Sequence, residues 1–169
     1  RIGKIENPPI QEMVSSPSPW NYRNHVQFHL TNEGKLGYMS QVSGGKEIGI
    51  MAITECHLPE RSINELWPQL EFEAETEIER VSVRSGADDE LMLVLESDSP
   101  EPPELEIEAG ISITHVFEEN TVVIAGNDNI TVRVLDRDFR VSAASFFQVN
   151  TAMAEKMVEH LVSNVPISP

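Results

Sequence analysis

Two short segments carry the side chains best suited to chemistry, and the first is Phe146-Phe147-Gln148-Val149-Asn150. The amide of Gln148 offers two donors and an acceptor, enough to hold a polar cofactor edge or to read a base. Taken alone, a glutamine before a helix is more often a capping or surface residue. Phe146 and Phe147 alternate across the backbone, so one should be buried while the other can stack on a base. Burial of both is an equally good alternative.

The second segment is Tyr22-Arg23-Asn24. The planar guanidinium of Arg23 suits bidentate contact with a phosphate or a carboxylate. In an extended segment Arg23 points away from Tyr22 and Asn24, so it faces either solvent or a ligand. An exposed structural arginine is the commoner outcome for a residue of this kind.

Cys56, in the segment Thr54-Glu55-Cys56-His57-Leu58, is the only cysteine of the sequence and excludes an internal disulfide. The neighbouring His57 is a poor catalytic partner, because adjacent residues of a strand point to opposite faces. An inert, half-buried thiol is the plain interpretation of Cys56.

Five carboxylates follow one another at a spacing of two, and they are Glu71, Glu73, Glu75, Glu77 and Glu79. If this segment is extended, the five like charges share one face and repel one another. There is no EF-hand pattern with its central glycine. The run is therefore more typical of a solvated face than of a divalent-metal site.

The two chemical segments resemble motifs of one enzyme family. Pro19 to Asn24 and Phe139 to Asn150, together with the helical pattern that follows, closely resemble the uracil-5 RNA methyltransferases, which make 5-methyluridine in bacterial 23S rRNA and tRNA. The match covers Arg1 to about Cys56 and Asp138 to Val162 well, while the middle is matched only by position.

The resemblance implies a role for each candidate residue. Gln148 would contact S-adenosylmethionine, and Arg23, Asn24 and Phe146 would face RNA, with 23S rRNA as the expected partner. Cys56 falls where cluster-containing relatives place the last of four cysteine ligands of a 4Fe-4S cluster. The other three ligands would lie upstream of Arg1, so no cluster could assemble on this chain alone.

The family's cofactor loop and its Ser-Cys-Asn-Pro nucleophile segment are not found in the sequence. In the whole enzyme, a cysteine thiolate adds to carbon 6 of uracil and carbon 5 takes the methyl group. The resemblance therefore implies a central substrate-recognition part with no catalytic residue of its own. We expect this chain alone to be inactive.

The net charge of −16 argues against a nucleic-acid partner, because binding to phosphate depends on clustered cations. The charge is uneven, since residues 71–128 contain 17 acidic and 2 basic residues, whereas the remainder contains 11 and 10. The near-neutral ends could therefore face RNA while the acidic middle faces solvent. The alternative function is an acidic β-rich protein-interaction module with no nucleic-acid role.

No apolar stretch approaches the roughly 18 residues of a membrane span, and no secretory signal is present. The cytoplasm is therefore the expected location.

The elements that position these residues follow from periodicity. A hairpin is predicted from Tyr22 to Leu30 and Leu36 to Gln41, with a turn at Gly44-Gly45 leading into a third strand. The pattern also predicts a helix from Ser62, its N-cap, to about Leu70 with a break at Pro68, and a second helix from Thr151 capped by Asn150. Further strands are predicted at 79–84, 90–96, 114–118, 121–125 and 129–135.

We expect an α+β fold, namely a β-rich domain of mostly antiparallel strands with a few short helices and a C-terminal helix. Its parts would be an extended lead-in at 1–20, a central RNA-recognition domain at 21–150 and a helix at 151–169 that leads into an absent methyltransferase domain. Within the central domain, residues 60–128 would form an acidic α/β lobe.

Overall fold

A computed structural model describes residues 7–10, 12–41, 48–105 and 110–165 of the chain. It contains two α-helices, α1 (Arg61–Leu66) and α2 (Thr151–Asn164), and nine strands. The strands are β1 (His25–Leu30), β2 (Leu36–Gln41), β3 (Ile48–Ala52), β4 (Ile78–Ser85), β5 (Leu91–Ser97), β6 (Ser112–Phe117), β7 (Asn120–Ala125), β8 (Asn129–Val134) and β9 (Arg137–Ser142). The α+β prediction is confirmed.

Seven strands form one sheet in the order β3-β2-β1-β4-β5-β6-β7, and β8 pairs with β9 as a separate two-stranded ribbon. All pairs are antiparallel except β5 with β6. Residues 60–128, expected to form an acidic lobe, contribute β4 to β7 to the same sheet as β1 to β3. The sheet is therefore continuous from the predicted hairpin into the acidic segment.

The first hydrophobic core lies on the face of the sheet that α1 covers. Val26, Phe28 and Leu30 of β1 are buried there, as their alternation predicted. The Phe28 ring packs against those of Tyr38 and Trp67, with centroids 5.5 and 5.2 Å apart. Aromatic packing of this kind holds the segment after α1 against the β1–β2 hairpin.

The second core lies on the opposite face, between the centre of the sheet and the ribbon. Leu93 and Leu95 of β5 join the first core, whereas Met92 and Val94 contact the ribbon. Because side chains alternate along a strand, one apolar run can serve both faces. The ribbon is thereby held against β4 and β5, next to the segment that precedes α2.

Helix α1 corrects one prediction. Its N-cap is Glu60 and not Ser62, and no side chain bonds to the free N–H groups of its first turn. The helix ends at Leu66, and Pro68 lies in a 3-10 turn at Trp67–Gln69, which confirms the predicted break. Proline lacks the N–H that a longer α-helix would need at this position.

The turn between β1 and β2 has a clear steric requirement. Gly34 has a φ of +73°, and a Cβ there would lie 2.2 Å from the carbonyl oxygen of Phe72. A side chain at this position is excluded on both grounds. The predicted turn at Gly44-Gly45 lies outside the described residues.

Candidate functional site

The two chemical segments meet in space. The buried Asn24 donates from Nδ2 to the carbonyl oxygen of Gln148 at 3.0 Å and to Thr151 Oγ1 at 2.9 Å. Its backbone N–H donates to the carbonyl oxygen of Val149 at 2.9 Å, and its own carbonyl accepts from the N–H of Ser85. We call residues 23–25 and 145–151 the junction. One asparagine thus fixes the path of the chain from Gln148 into α2 relative to β1.

Helix α2 begins at the junction as predicted. Asn150 is its N-cap, and its Oδ1 accepts from the backbone N–H of Met153 at 3.0 Å. The Nδ2 of Asn150 donates to Ser16 Oγ at 3.1 Å, which holds the lead-in alongside. At the other side, Glu155 accepts from the N–H of Leu135 in the turn of the ribbon. The start of α2 is therefore tied to the lead-in, the ribbon and the sheet.

Phe146 and Phe147 are divided between solvent and core. Phe146 is 84% exposed, whereas Phe147 packs against the second core with its ring centroid 5.9 Å from that of Phe139. An aromatic side chain this exposed beside an anchored backbone has a face available for a flat partner. The alternative that both rings are buried is wrong.

Gln148 presents its side chain to solvent, while its backbone carbonyl is used by Asn24. Within the described part of the chain its amide makes no hydrogen bond, and the N-cap role belongs to Asn150. Gln148 is therefore not a cap, and its exposed side chain agrees with the surface residue that the sequence also allowed. The full hydrogen-bonding capacity of the amide is available to a ligand.

Arg23 is half-buried and fixed by its backbone. Its N–H donates to the carbonyl oxygen of Leu58 at 2.9 Å, and its carbonyl accepts from the N–H of Glu60 at 2.8 Å. These bonds connect the start of β1 to the segment that precedes α1. The Nε atom of Arg23 is buried.

Two residues that sequence reasoning missed complete the junction. His25 of β1 pairs directly with Arg84 of β4, and Arg84 is 92% buried with its terminal nitrogen donating to the carbonyl oxygen of Ser145 at 2.9 Å. The available signal was Arg84 itself, a basic residue on a strand within an otherwise acidic segment. Its proximity to His25, 59 positions earlier, could not be read from spacing.

The electrostatics of the junction are dominated by burial. Burial, followed by the charges of Arg84 and Arg23, lowers the pKa of His25 to about 4. Burial also lowers the pKa of Arg84, while Glu96 acts in the opposite direction. His25 is consequently a neutral imidazole near pH 7, next to two cationic side chains.

The side chains of Asn24 and Cys56 both contact other residues of this chain. Asn24 is 6% exposed, so it acts on the site by holding the Gln148 segment. Cys56 is half-buried against the first core, with its Sγ 3.6 Å from the hydroxyl oxygen of Tyr38. Burial, followed by the bond to Cys56, raises the pKa of Tyr38. The described residues contain no group of three or more His, Cys, Asp or Glu side chains arranged to hold a metal ion.

The five carboxylates from Glu71 to Glu79 are all exposed, which agrees with the interpretation of this run as a solvated face. Neither described helix has the length and hydropathy needed to cross a bilayer.

The depressed pKa of His25 predicts a pH-dependent stability. The unfolded chain binds a proton near pH 6.5 and the folded chain only near pH 4. The free energy of unfolding should therefore fall by up to roughly 3 kcal/mol as the pH drops through this window. His25→Gln should remove this part of the pH dependence in urea melts, whereas His57→Gln, at an exposed histidine, should retain it. Parallel profiles for wild type and His25→Gln would contradict the assignment.

The chain is similar in sequence to proteins that are named as RNA methyltransferases. No family model matches the chain. A protein of Synechocystis named as an uncharacterized RNA methyltransferase is 25% identical over 95% of this chain and 42% of its own length. A Chlorobaculum tepidum protein of the same description is 25% identical over 99% of this chain and 45% of its own length. The chain thus spans less than half the length of the curated relatives that it matches.

A solved structure shares the fold. The crystal structure of the Pyrococcus abyssi tRNA (uracil-54, C5)-methyltransferase in complex with S-adenosyl-L-homocysteine matches with a TM-score of 0.64 and 19% identity. The match covers 90% of this chain and 43% of that one.

Proposed function

We propose that this chain is the central substrate-recognition part of an S-adenosylmethionine-dependent RNA (uracil-5-)-methyltransferase whose substrate is 23S rRNA. The observation that carries the proposal is the junction, where Asn24 anchors a segment that exposes both Phe146 and Gln148. The relatives named RNA methyltransferases support the coarser part of this proposal, namely methyl transfer to RNA. A substrate of this kind places the enzyme in the cytoplasm.

In this proposal Phe146 stacks on a base of the RNA. An enzyme that modifies a base atom must take that base out of its stack, and an exposed aromatic ring is a suitable platform for it. The backbone at Phe146 is already held on both sides, because Arg84 donates to the carbonyl oxygen of Ser145 and Phe147 packs against the second core. Asn24, which holds the Gln148 segment, is a positioning residue.

Gln148 is assigned to the cofactor. Its exposed amide, two residues from Phe146, offers donors and an acceptor that the polar edge of S-adenosylmethionine can use. The cofactor supplies the methyl group. The role of this chain is to form one wall of the cofactor pocket, and we expect it to transfer no methyl group when separated from the rest of the enzyme.

Helix α2 would lead into the methyltransferase domain. Past its first turns it carries an apolar stripe that includes Met157, Leu161 and Val162, which are 51%, 55% and 61% exposed. Apolar residues at this spacing are typical of a helix that packs against another element. The division into a lead-in at 1–20, a central domain at 21–150 and a connecting helix at 151–169 belongs to the proposal.

The charge distribution fits an RNA substrate at the junction. The junction contributes the cation Arg23, with Arg84 beside it, while the exposed carboxylates of Glu71 to Glu79 belong to another segment. Long-range repulsion between these carboxylates and RNA is screened beyond about 8 Å at physiological ionic strength. A net negative chain can therefore present a local site for phosphate and base.

Phe146 and Phe147 provide a matched pair of variants. In the full-length enzyme Phe146→Ala should reduce methyl transfer to an unmodified 23S rRNA fragment, because losing one stacked base costs about 1–3 kcal/mol. Its melting temperature should be unchanged. Phe147→Ala should lower the melting temperature by removing a ring from the second core, at about 3 kcal/mol. Unchanged RNA affinity and turnover in Phe146→Ala would refute the stacking role.

Gln148→Ala tests the cofactor assignment. Each lost hydrogen bond costs about 0.5–1.5 kcal/mol, so S-adenosylmethionine should bind the full-length enzyme roughly threefold to a hundredfold more weakly. Asn150→Ala is the control, and it should destabilise α2 with little effect on cofactor affinity. Normal titration calorimetry with Gln148→Ala would exclude this residue from the pocket.

Cys56 is proposed as one ligand of a 4Fe-4S cluster in the full-length protein. It can supply one thiolate, and the remaining ligands would come from outside the described residues. Full-length protein purified without oxygen should be brown and contain iron, and Cys56→Ser should lose both. Tyr38→Phe, which removes only the hydroxyl beside the thiol, should retain the cluster. A colourless wild-type protein without iron would leave Cys56 as a packing residue.

A further inference from the structure

Three nitrogen atoms beside the junction are buried without a partner. They are Arg23 Nε, His25 Nε2 and Arg84 Nε, and none has a hydrogen-bond acceptor within the described part of the chain. A buried donor without a partner costs about 1–3 kcal/mol, and more when it is charged. Three such nitrogen atoms near one another indicate a binding site for a ligand that carries hydrogen-bond acceptors.

These groups occupy one end of the sheet. His25 and Arg84 are directly opposite each other in the β1 and β4 register, and Arg23 lies two residues before His25 in the sequence. The positive charges of both arginines contribute, after burial, to the lowered pKa of His25. A pocket of about 10 Å³ lies beside His25 and Arg84, and Arg23 is next in sequence to its lining residue Asn24. The pocket is lined by Asn24, His25, Arg84, Ser85, Ile130, Val132, Val141 and Phe147.

The nearby carboxylates are occupied elsewhere. Glu96 is paired with Arg80 at 2.6 Å and accepts from Gln27 at 2.9 Å. Glu60 accepts from the hydroxyl of Ser85 at 2.7 Å. Among the described residues no carboxylate lies within 4.0 Å of the guanidinium of Arg23 or Arg84. Arg84 is therefore a buried cation with no carboxylate in direct contact, which is costly in a folded protein. The charge of Glu96, which raises the pKa of Arg84, acts on it from beyond 4.0 Å.

We propose that Arg23, His25 and Arg84 form an oxyanion site that receives a non-bridging phosphate oxygen of the RNA backbone. The pocket is the size of one water molecule, so it accepts one oxygen atom while the rest of the phosphate remains outside. Arginine forms strong charge-assisted hydrogen bonds with phosphate, and neutral His25 can add a donor. This inference rests on the proposed function, since it identifies which phosphate contact accompanies the base at Phe146.

Binding of a phosphate at this site should change the pKa of His25. Its pKa is about 4 because of burial and of the two arginines. The ribbon and the segment before α2 add Ile130, Val132, Val141 and Phe147, none of which ionises. A bound phosphate would offset the arginine charges, so the pKa of His25 should rise towards its ordinary value.

The test is an NMR titration of the His25 imidazole in the 169-residue chain. The probes are uridine, uridine monophosphate and the dinucleotide UpU, whose single phosphate is a diester. UpU and uridine monophosphate should raise the pKa of His25 and shift the Arg84 Nε–H signal, whereas uridine should do neither. The inference is overturned if UpU leaves both signals unchanged, or if inorganic phosphate shifts them and UpU does not.

Two arginines on the same face of β4 provide the matched variants. Arg84→Met should weaken UpU binding about tenfold or more, whereas Arg80→Met, at a partly exposed arginine paired with Glu96, should change it little. Arg84→Lys keeps the charge and should restore part of the affinity. Equal losses in Arg84→Met and Arg80→Met would indicate general charge attraction and contradict a defined site.

This experiment is separate from the test of the enzyme. A full-length protein that methylates no RNA, combined with a UpU-dependent rise in the His25 pKa, would refute the proposed activity and retain the site. Methyl transfer together with an unresponsive His25 would do the reverse.

Discussion

The hydrogen bonds of Asn24 are the interaction on which the rest of the site depends. They join the start of β1 to Gln148, Val149 and Thr151, so residues more than 120 positions apart become one rigid unit. Because the Asn24 side chain is buried, breaking one of these bonds leaves a poorly solvated polar group without a partner. The exposed positions of Phe146 and Gln148 follow from this anchor, since the backbone between them cannot move independently of the sheet.

The two cores have different roles in supporting that unit. The first packs α1 against the hairpin around Phe28, which places Arg23 through its backbone bonds to Leu58 and Glu60. The second packs the ribbon and Phe147 against Met92 and Val94, which closes the pocket around Arg84. The centre of the sheet is packed on both faces, so it holds the two segments of the junction in fixed relative positions.

The net negative charge of the chain does not determine the electrostatic potential at the site, because the acidic and basic side chains lie in different environments. The carboxylates of Glu71 to Glu79 are exposed to water, where screening limits their reach. The cations of the site are Arg84, which is buried, and Arg23, which is half-buried, and interactions between charges are stronger there because the dielectric constant is lower. A few buried cations can thus outweigh a larger number of exposed anions at short range.

The sequence alone determined the local features, namely the hairpin, the strand alternation of Val26 and Phe28 and the α2 cap at Asn150. These depend on periodicity and on backbone groups within a few residues. Only the tertiary structure decided the parallel pairing of β5 with β6, the burial of Asn24 and the contact between His25 and Arg84. The physical reason is that these features depend on which strands become neighbours, and spacing along the chain does not contain that information.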